Sequence, residues 1–389
     1  MRQTVVRVTM ALGLTACGAA SAAPTARPIE ATVVSMSAGP PPPGAVSEFT
    51  TDFTRTSVPF TEILSGGPPK DGIPAIDDPT YVAVMEADSW LEPQEPVVRV
   101  QIGGDARAYP LQILIWHELV NDTVGGLPVV VSFCPLCNTA IVFERRVDGQ
   151  ATTFGTTGRL RYSNLIMYDR LTETWWQQAT GEAIVGRHTG ERLNPVPAAI
   201  IAWADFQAAH PDGRVLSRET GFSRDYGANP YPGYDDVNQP PFLYDGPPTP
   251  GQLPAMARVL TVALGDEAAA YPYDLLAASG VVNDVIAGTD IVVFWVAGTA
   301  SALDAQTVAA GRDVGTATAF LREAKGQLLT FSANPAGIVD TETGSVWSGL
   351  GQAVAGPLVG AALDPLVAVN HFWFSWAAFR PDTRVYTSP

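Results

Sequence analysis

Leu127-Pro128-Val129-Val130-Val131-Ser132-Phe133-Cys134-Pro135-Leu136-Cys137-Asn138-Thr139-Ala140-Ile141-Val142-Phe143 is the stretch on which the fold reading turns. Leu127 to Phe133 is a β-branched run, the pattern of a buried strand. The Cys-x-x-Cys pair follows, and Thr139 to Phe143 reads as strand again. A thioredoxin-type site would put such a pair at the start of a helix, where the helix dipole lowers the thiol pKa. Strand after the pair argues against that fold.

Working outward, Val97-Val98-Arg99-Val100-Gln101-Ile102 alternates and runs into the turn signal Gly103-Gly104. Leu111 to Val120 lacks strict alternation and follows Pro110, which predicts a short helix. Further strands are predicted over Ala140 to Arg145, Ala151 to Phe154 and Ser163 to Tyr168, with a polar turn at Asp169 to Thr172. The neighbours of Phe206 read as helix. The expectation is a mainly β fold with short helices, α+β in class.

The pattern recurs along the chain. Ala108-Tyr109-Pro110-Leu111 matches Ala270-Tyr271-Pro272-Tyr273, and Val120-Asn121-Asp122 matches Val282-Asn283-Asp284. Gly181-Glu182-Ala183-Ile184-Val185-Gly186 matches Gly351-Gln352-Ala353-Val354-Ala355-Gly356, and Pro211-Asp212-Gly213-Arg214-Val215 matches Pro381-Asp382-Thr383-Arg384-Val385. The period is far longer than that of a solenoid, so each copy is the size of a domain. We expect two diverged copies of one module, over 48–219 and 255–389. Between them, 220–254 is rich in Tyr, Pro and Gly. Tyr226, Tyr231 and Tyr234 within it suggest a loop that packs on something.

The chain begins as an exported lipoprotein would. Arg2 and Arg7 make a basic n-region, and Val8 to Ala16 is an apolar run too short to span a bilayer. It ends in Leu14-Thr15-Ala16-Cys17, which resembles a lipobox. The expectation is a signal peptide over 1–16, a lipid on Cys17, and an Ala/Ser/Pro tether over 17–47. That places the body outside the cytoplasm, in the periplasm or at the cell surface. The formal charge of −16 excludes nucleic acid as a natural partner and disfavours contact with anionic headgroups. Membrane attachment is therefore expected only through the N-terminal lipid.

With Cys17 lipidated, the three cysteines leave Cys134 and Cys137 as the mature thiols. A bridge closing so short a loop stabilises a fold little. Two thiols at this spacing can instead hold a soft metal ion or cycle between dithiol and disulfide. His117 precedes the strand that delivers Cys134. At the shift of the repeat, its place and those of the cysteines fall on Ser279, Val296 and Thr299. All three are thus lost together from the second copy. Cys134, Cys137 and His117 form the expected metal site, with copper or zinc as the ion. His371, reaching across from the second copy, Met167 and Glu118 are candidates to support it. No His follows the Cys pair, so haem attachment is not expected. The chain has no dinucleotide fingerprint, phosphate loop or Ser nucleophile elbow.

Tyr109-Pro110-Leu111, His117-Glu118, Phe133-Cys134-Pro135-Leu136-Cys137-Asn138-Thr139-Ala140, Met167-Tyr168-Asp169-Arg170, Trp175-Trp176-Gln177, Asn229-Pro230-Tyr231 and His371-Phe372-Trp373 together resemble the bacterial domain-of-unknown-function family 3179. The resemblance spans roughly residues 50 to 387. It implies an exported or lipid-anchored protein and supplies no reaction. Three readings stay open: a soft-metal-binding protein, a thiol–disulfide oxidoreductase using Cys134 and Cys137, and a ligand-binding module without catalysis.

Overall fold

A computed structural model describes residues 38–387. The expected signal peptide, Cys17 and most of the tether lie outside the described residues. Within them the chain is mainly β with a few short helices. No helix of the described residues is long and apolar enough to cross a membrane. Chain expected to be tether is packed by Ala45, which is buried in the helix Ala45–Glu48 beside Phe49, Tyr168 and Trp175.

The first half is built from three sheets. In one, Pro96–Ile102 pairs with Asp105–Pro110 across the Gly103-Gly104 turn and with Ala198–Ala202 on its other side. In the second, Leu127–Cys134 lies between Leu119–Val124 and Thr139–Glu144. The third is the meander Phe154–Arg161, Asn164–Asp169, Trp175–Gln177 and Glu182–Val185, flanked by Ile63–Ser65. In the second half, Ala368–Phe372, Arg258–Leu264, Glu267–Pro272 and Arg384–Val385 form one sheet in that order. Val281–Ile286, Thr289–Val296 and Thr316–Leu321 form another, and Phe331–Asn334 through Ala353–Ala355 a four-stranded meander. One apolar cluster draws residues from both halves. Val98, Val131 and Phe133 pack in the same cluster as Leu303, Phe372 and Phe374.

Several sequence boundaries shift. The strand expected over Ala151 to Phe154 divides: Gln150–Ala151 closes a small hairpin on Arg146–Val147, and Phe154 opens the long strand to Arg161. The helix expected to reach Val120 stops at His117. The cause is Glu118, whose φ of 58° ends the helix. Its N–H donates to Leu114 O at 2.7 Å, and its own carbonyl accepts from the N–H of Phe133 at 2.7 Å. The chain thereby enters the strand Leu119–Val124. Gly280 does the same job in the second half at φ 68°, with its N–H on Leu276 O and its carbonyl accepting from Trp295 N–H. Glycine adopts this conformation freely, whereas a residue with a side chain is strained there by about 1–3 kcal/mol.

Candidate functional site

Cys134 ends the strand Leu127–Cys134, and Pro135–Cys137 makes a single 3-10 turn. Pro135 starts the turn, where its missing N–H costs nothing. Asn138, at φ 50°, closes it and returns the chain into the strand Thr139–Glu144. This tight turn swings both thiols toward one point. The sulfurs of Cys134 and Cys137 lie 3.8 and 3.5 Å from the same main-chain oxygen, that of Ser163. Ser163 is held there by a tight hairpin in which Tyr162 and Ser163 both have positive φ. The cysteines are free thiols, 1% and 0% exposed.

A buried polar network backs them. Asn164 donates its amide to Cys137 Sγ at 3.3 Å and to Gln178 Oε1 at 2.9 Å. Its own oxygen accepts from Gln177 and from the N–H of Ala179. Gln178 in turn donates to Ser132 Oγ and Thr139 O. Each of these side chains is fully buried, so the network fixes the orientation of the amide against Cys137. In an apolar site a half-paired amide would cost more than the bond it makes.

Glu118 is the acidic side chain nearest the Cys134 thiol in its electrostatics. Its carboxyl is buried, and burial pushes its pKa up to about 8. No side-chain hydrogen bond reaches it among the described residues. Burial, then the neighbouring Cys137 and Glu118, raise the Cys134 thiol well above its ordinary value. Glu118 and the Cys134 thiol thus rest protonated near neutral pH, which leaves neither charged in the apolar surroundings.

The inter-half loop forms the outer wall. Gly221 to Pro254 contains no helix or strand, and its aromatic residues pack over the cysteines as their composition suggested. Tyr234 donates its hydroxyl to Leu136 O at 2.9 Å, and Ser163 Oγ donates to Phe242 O at 2.7 Å. Tyr231 and Tyr234 pack against the apolar cluster that holds both cysteines. The loop is riveted by Asp235, which sits between Arg258 at 2.6 Å and Arg312 at 2.8 Å. Burial alone would raise its pKa, but the two guanidinium groups more than offset that and hold the carboxyl below its ordinary range.

The second half supplies the back wall. His371 Nδ1 lies 2.8 Å from Thr139 Oγ1, and Thr139 Oγ1 donates to Cys137 O at 3.0 Å. His371 therefore meets the backbone of the site, through Thr139. Its ring is fully buried, its Nε2 has no partner, and burial pushes its pKa down to about 3. Met167 is buried in the same apolar cluster as the thiols. His117 is engaged elsewhere. Its Nδ1 donates to Pro74 O at 2.7 Å, which leaves Nε2 to accept from the Tyr226 hydroxyl at 2.6 Å. Among the described residues no group of three or more His, Cys, Asp or Glu side chains is placed to hold one metal ion.

The structure thus brings Cys134 and Cys137 together, with Glu118 near enough to raise the Cys134 thiol, and leaves His117 on a separate hydrogen-bonded chain. Sequence reading missed Ser163, Asn164 and Gln178, which stand in no chemical motif. A signal for Glu118 was available: at the shift of 162 it falls on a glycine, Gly280. The acidic residues of the two meanders have structural partners. Asp169 binds the turn at Thr172 and the indole of Trp176, and Asp340 does the same with Thr343 and Trp347. Glu173 pairs with Lys70 at 2.5 Å.

Neither a search of curated proteins nor one of solved structures returned a match. A family model described as a protein of unknown function, DUF3179, matches residues 70–383, a span that holds every residue of the site just described. The chain belongs to this family.

Proposed function

We propose that Cys134 and Cys137 form a dithiol–disulfide centre with Glu118 as its proton acceptor. The observation that carries the reading is Glu118 itself. A carboxyl with no side-chain hydrogen bond among the described residues is buried near the Cys134 thiol, on a backbone conformation that its counterpart meets with glycine. A position that costs about 1–3 kcal/mol of strain and further desolvation is explained by a task for the side chain. A carboxyl whose pKa stands at about 8 holds its proton at neutral pH and becomes a base for a neighbouring thiol as it ionises toward pH 8 and above.

The reaction is an exchange with a disulfide of a partner protein. One thiol loses its proton to Glu118, and its sulfur attacks one sulfur of the partner disulfide. The partner's other sulfur leaves as thiolate and takes the proton. The second thiol of the pair, deprotonated in turn, displaces the first partner sulfur, which is protonated as it leaves. Two electrons and two protons pass to the partner, and Cys134–Cys137 becomes the disulfide. The sulfurs are sealed at rest, so exchange begins with the Tyr231–Phe242 stretch lifted from Leu136 and Ser163.

Oxidation of the purified full chain by a graded series of glutathione redox buffers tests this. The expected result is a reversible loss of two hydrogens by intact mass, mapped to Cys134–Cys137 and absent from Cys134→Ser and Cys137→Ser. Exchange should slow in Glu118→Gln at pH 8.5, where the parent carboxyl is ionised. Thiols that stay reduced in all buffers, in the parent and in a variant with a loosened loop, would remove the reading.

A second reading is a soft metal ion, favoured by the convergence of both sulfurs on one point. Two buried thiolates suit copper(I) better than zinc, which takes four ligands. His117 would join only by giving up Tyr226. Stoichiometric copper in protein purified from its native host would favour this reading over the first.

The two halves are best read as diverged copies of one module. The matching strand orders, the paired Glu118 and Gly280 turns and the paired Asp169 and Asp340 clasps support it. The site then belongs to one copy alone. The lipobox supports attachment outside the cytoplasm through lipid on Cys17.

A further inference from the structure

A cavity of about 460 Å3 opens between the two halves. That is within the range of small-molecule sites. Ile141 and Phe143, alternate residues of Thr139–Glu144, line it from the first half, and Val369 and Trp376 from the second. Its charged lining consists of Arg192 and Arg380. The chain carries 39 acidic against 23 basic residues, so a wall with two arginines and no carboxylate runs against the composition. Arg192 is held by Glu182 at 3.1 Å. The guanidinium of Arg380 makes no ion pair among the described residues.

An apolar chamber with an uncommitted guanidinium calls for a ligand with a hydrocarbon body and an anionic head. Arg presents a planar fork that fits a carboxylate with two parallel hydrogen bonds. A neutral apolar molecule would leave that fork unused, and a cation would be repelled by both arginines. We propose that this cavity binds a medium-chain carboxylate, with its tail between Phe143 and Val369 and its head on Arg380. The site is separate from the thiols and stands or falls without them.

Calorimetric titration of the full chain with octanoate, octan-1-ol and octylammonium tests the proposal. Octanoate should bind saturably at one site and more tightly than either relative. Arg380→Gln should weaken octanoate roughly tenfold or more, the size of one charge-assisted contact, and leave octan-1-ol unchanged. Ala263→Phe, which fills the chamber, should abolish binding without lowering the melting temperature. Arg380 lies at the half-exposed mouth, so its variant keeps the test valid if the filled chamber does not fold. No heat with octanoate, equal binding of octanoate and octylammonium, or unchanged affinity in Arg380→Gln would each overturn it.

Discussion

Tyr234 is hydrogen-bonded to Leu136, one of the two residues between the cysteines: its hydroxyl reaches Leu136 O at 2.9 Å and so pins the inter-half loop onto the Cys-x-x-Cys turn. The same hydroxyl accepts from Phe242 N–H at 3.3 Å. One side chain therefore ties two points of the loop to the turn that aims the sulfurs.

Removing that hydroxyl should open the site without dismantling it. A net hydrogen bond is worth about 0.5–1.5 kcal/mol, so Tyr234→Phe should speed native-state alkylation of Cys134 and Cys137 by iodoacetamide up to roughly tenfold. The melting temperature should fall by only a few degrees, by the usual conversion for such an energy. An alkylation rate equal to that of the parent would show that the loop does not control access.

Glu118 should make the folded chain sensitive to alkaline pH. Its carboxyl keeps a proton to about pH 8 when folded and releases it in the usual carboxylate range when unfolded. The folded state then binds more protons between those limits, so stability falls as pH rises through the window. The slope approaches about 1.4 kcal/mol per pH unit at most. Urea titrations from pH 5 to 8.5 should show this decline in the parent and a flatter profile in Glu118→Gln.

Glu118→Gly should show the strain directly. Gly280 marks the residue that this conformation suits. Relief of strain and desolvation should raise stability at pH 8 by about 1 kcal/mol or more. Under the dithiol reading the same variant should exchange thiols more slowly. A variant both more stable and equally active would deny Glu118 its proposed task.

His371 should govern part of the acid limb. Its pKa falls to about 3 in the fold and that of His210 to about 4, so below the ordinary histidine range the unfolded chain binds the extra protons. Stability present above about pH 6.5 is lost as pH falls toward those values. His371→Asn should make the loss between pH 6.5 and 4 shallower, read from urea midpoints. A limb of unchanged steepness would assign it to other groups.

Much of the fold was legible because its strands are marked by β-branched runs and by turn residues whose chemistry is local. Pro96–Ile102 and Leu127–Cys134 fall close to where alternation and branching put them. The end of the helix at His117 was not legible, because nothing in Glu118 as a residue type announces a positive φ. The site was half legible. Two thiols three apart are a motif, and so they were found. Ser163 and Asn164 reach the sulfurs, and Gln178 and Tyr234 the residues around them, only through folding, from distant parts of the chain. His117 could not be placed from the sequence: its ring meets Pro74 and Tyr226, both distant along the chain.

The contact between Thr139 and His371 joins residues 232 positions apart. A chain made from its N-terminus has both cysteines long before it has the wall that closes behind them. Ser375, within 3.5 Å of Cys137 O, comes later still. Throughout that interval the thiols are open to whatever oxidant or metal the compartment offers. Their chemical state is therefore set by timing as well as affinity, by what reaches them before residue 375 is in place.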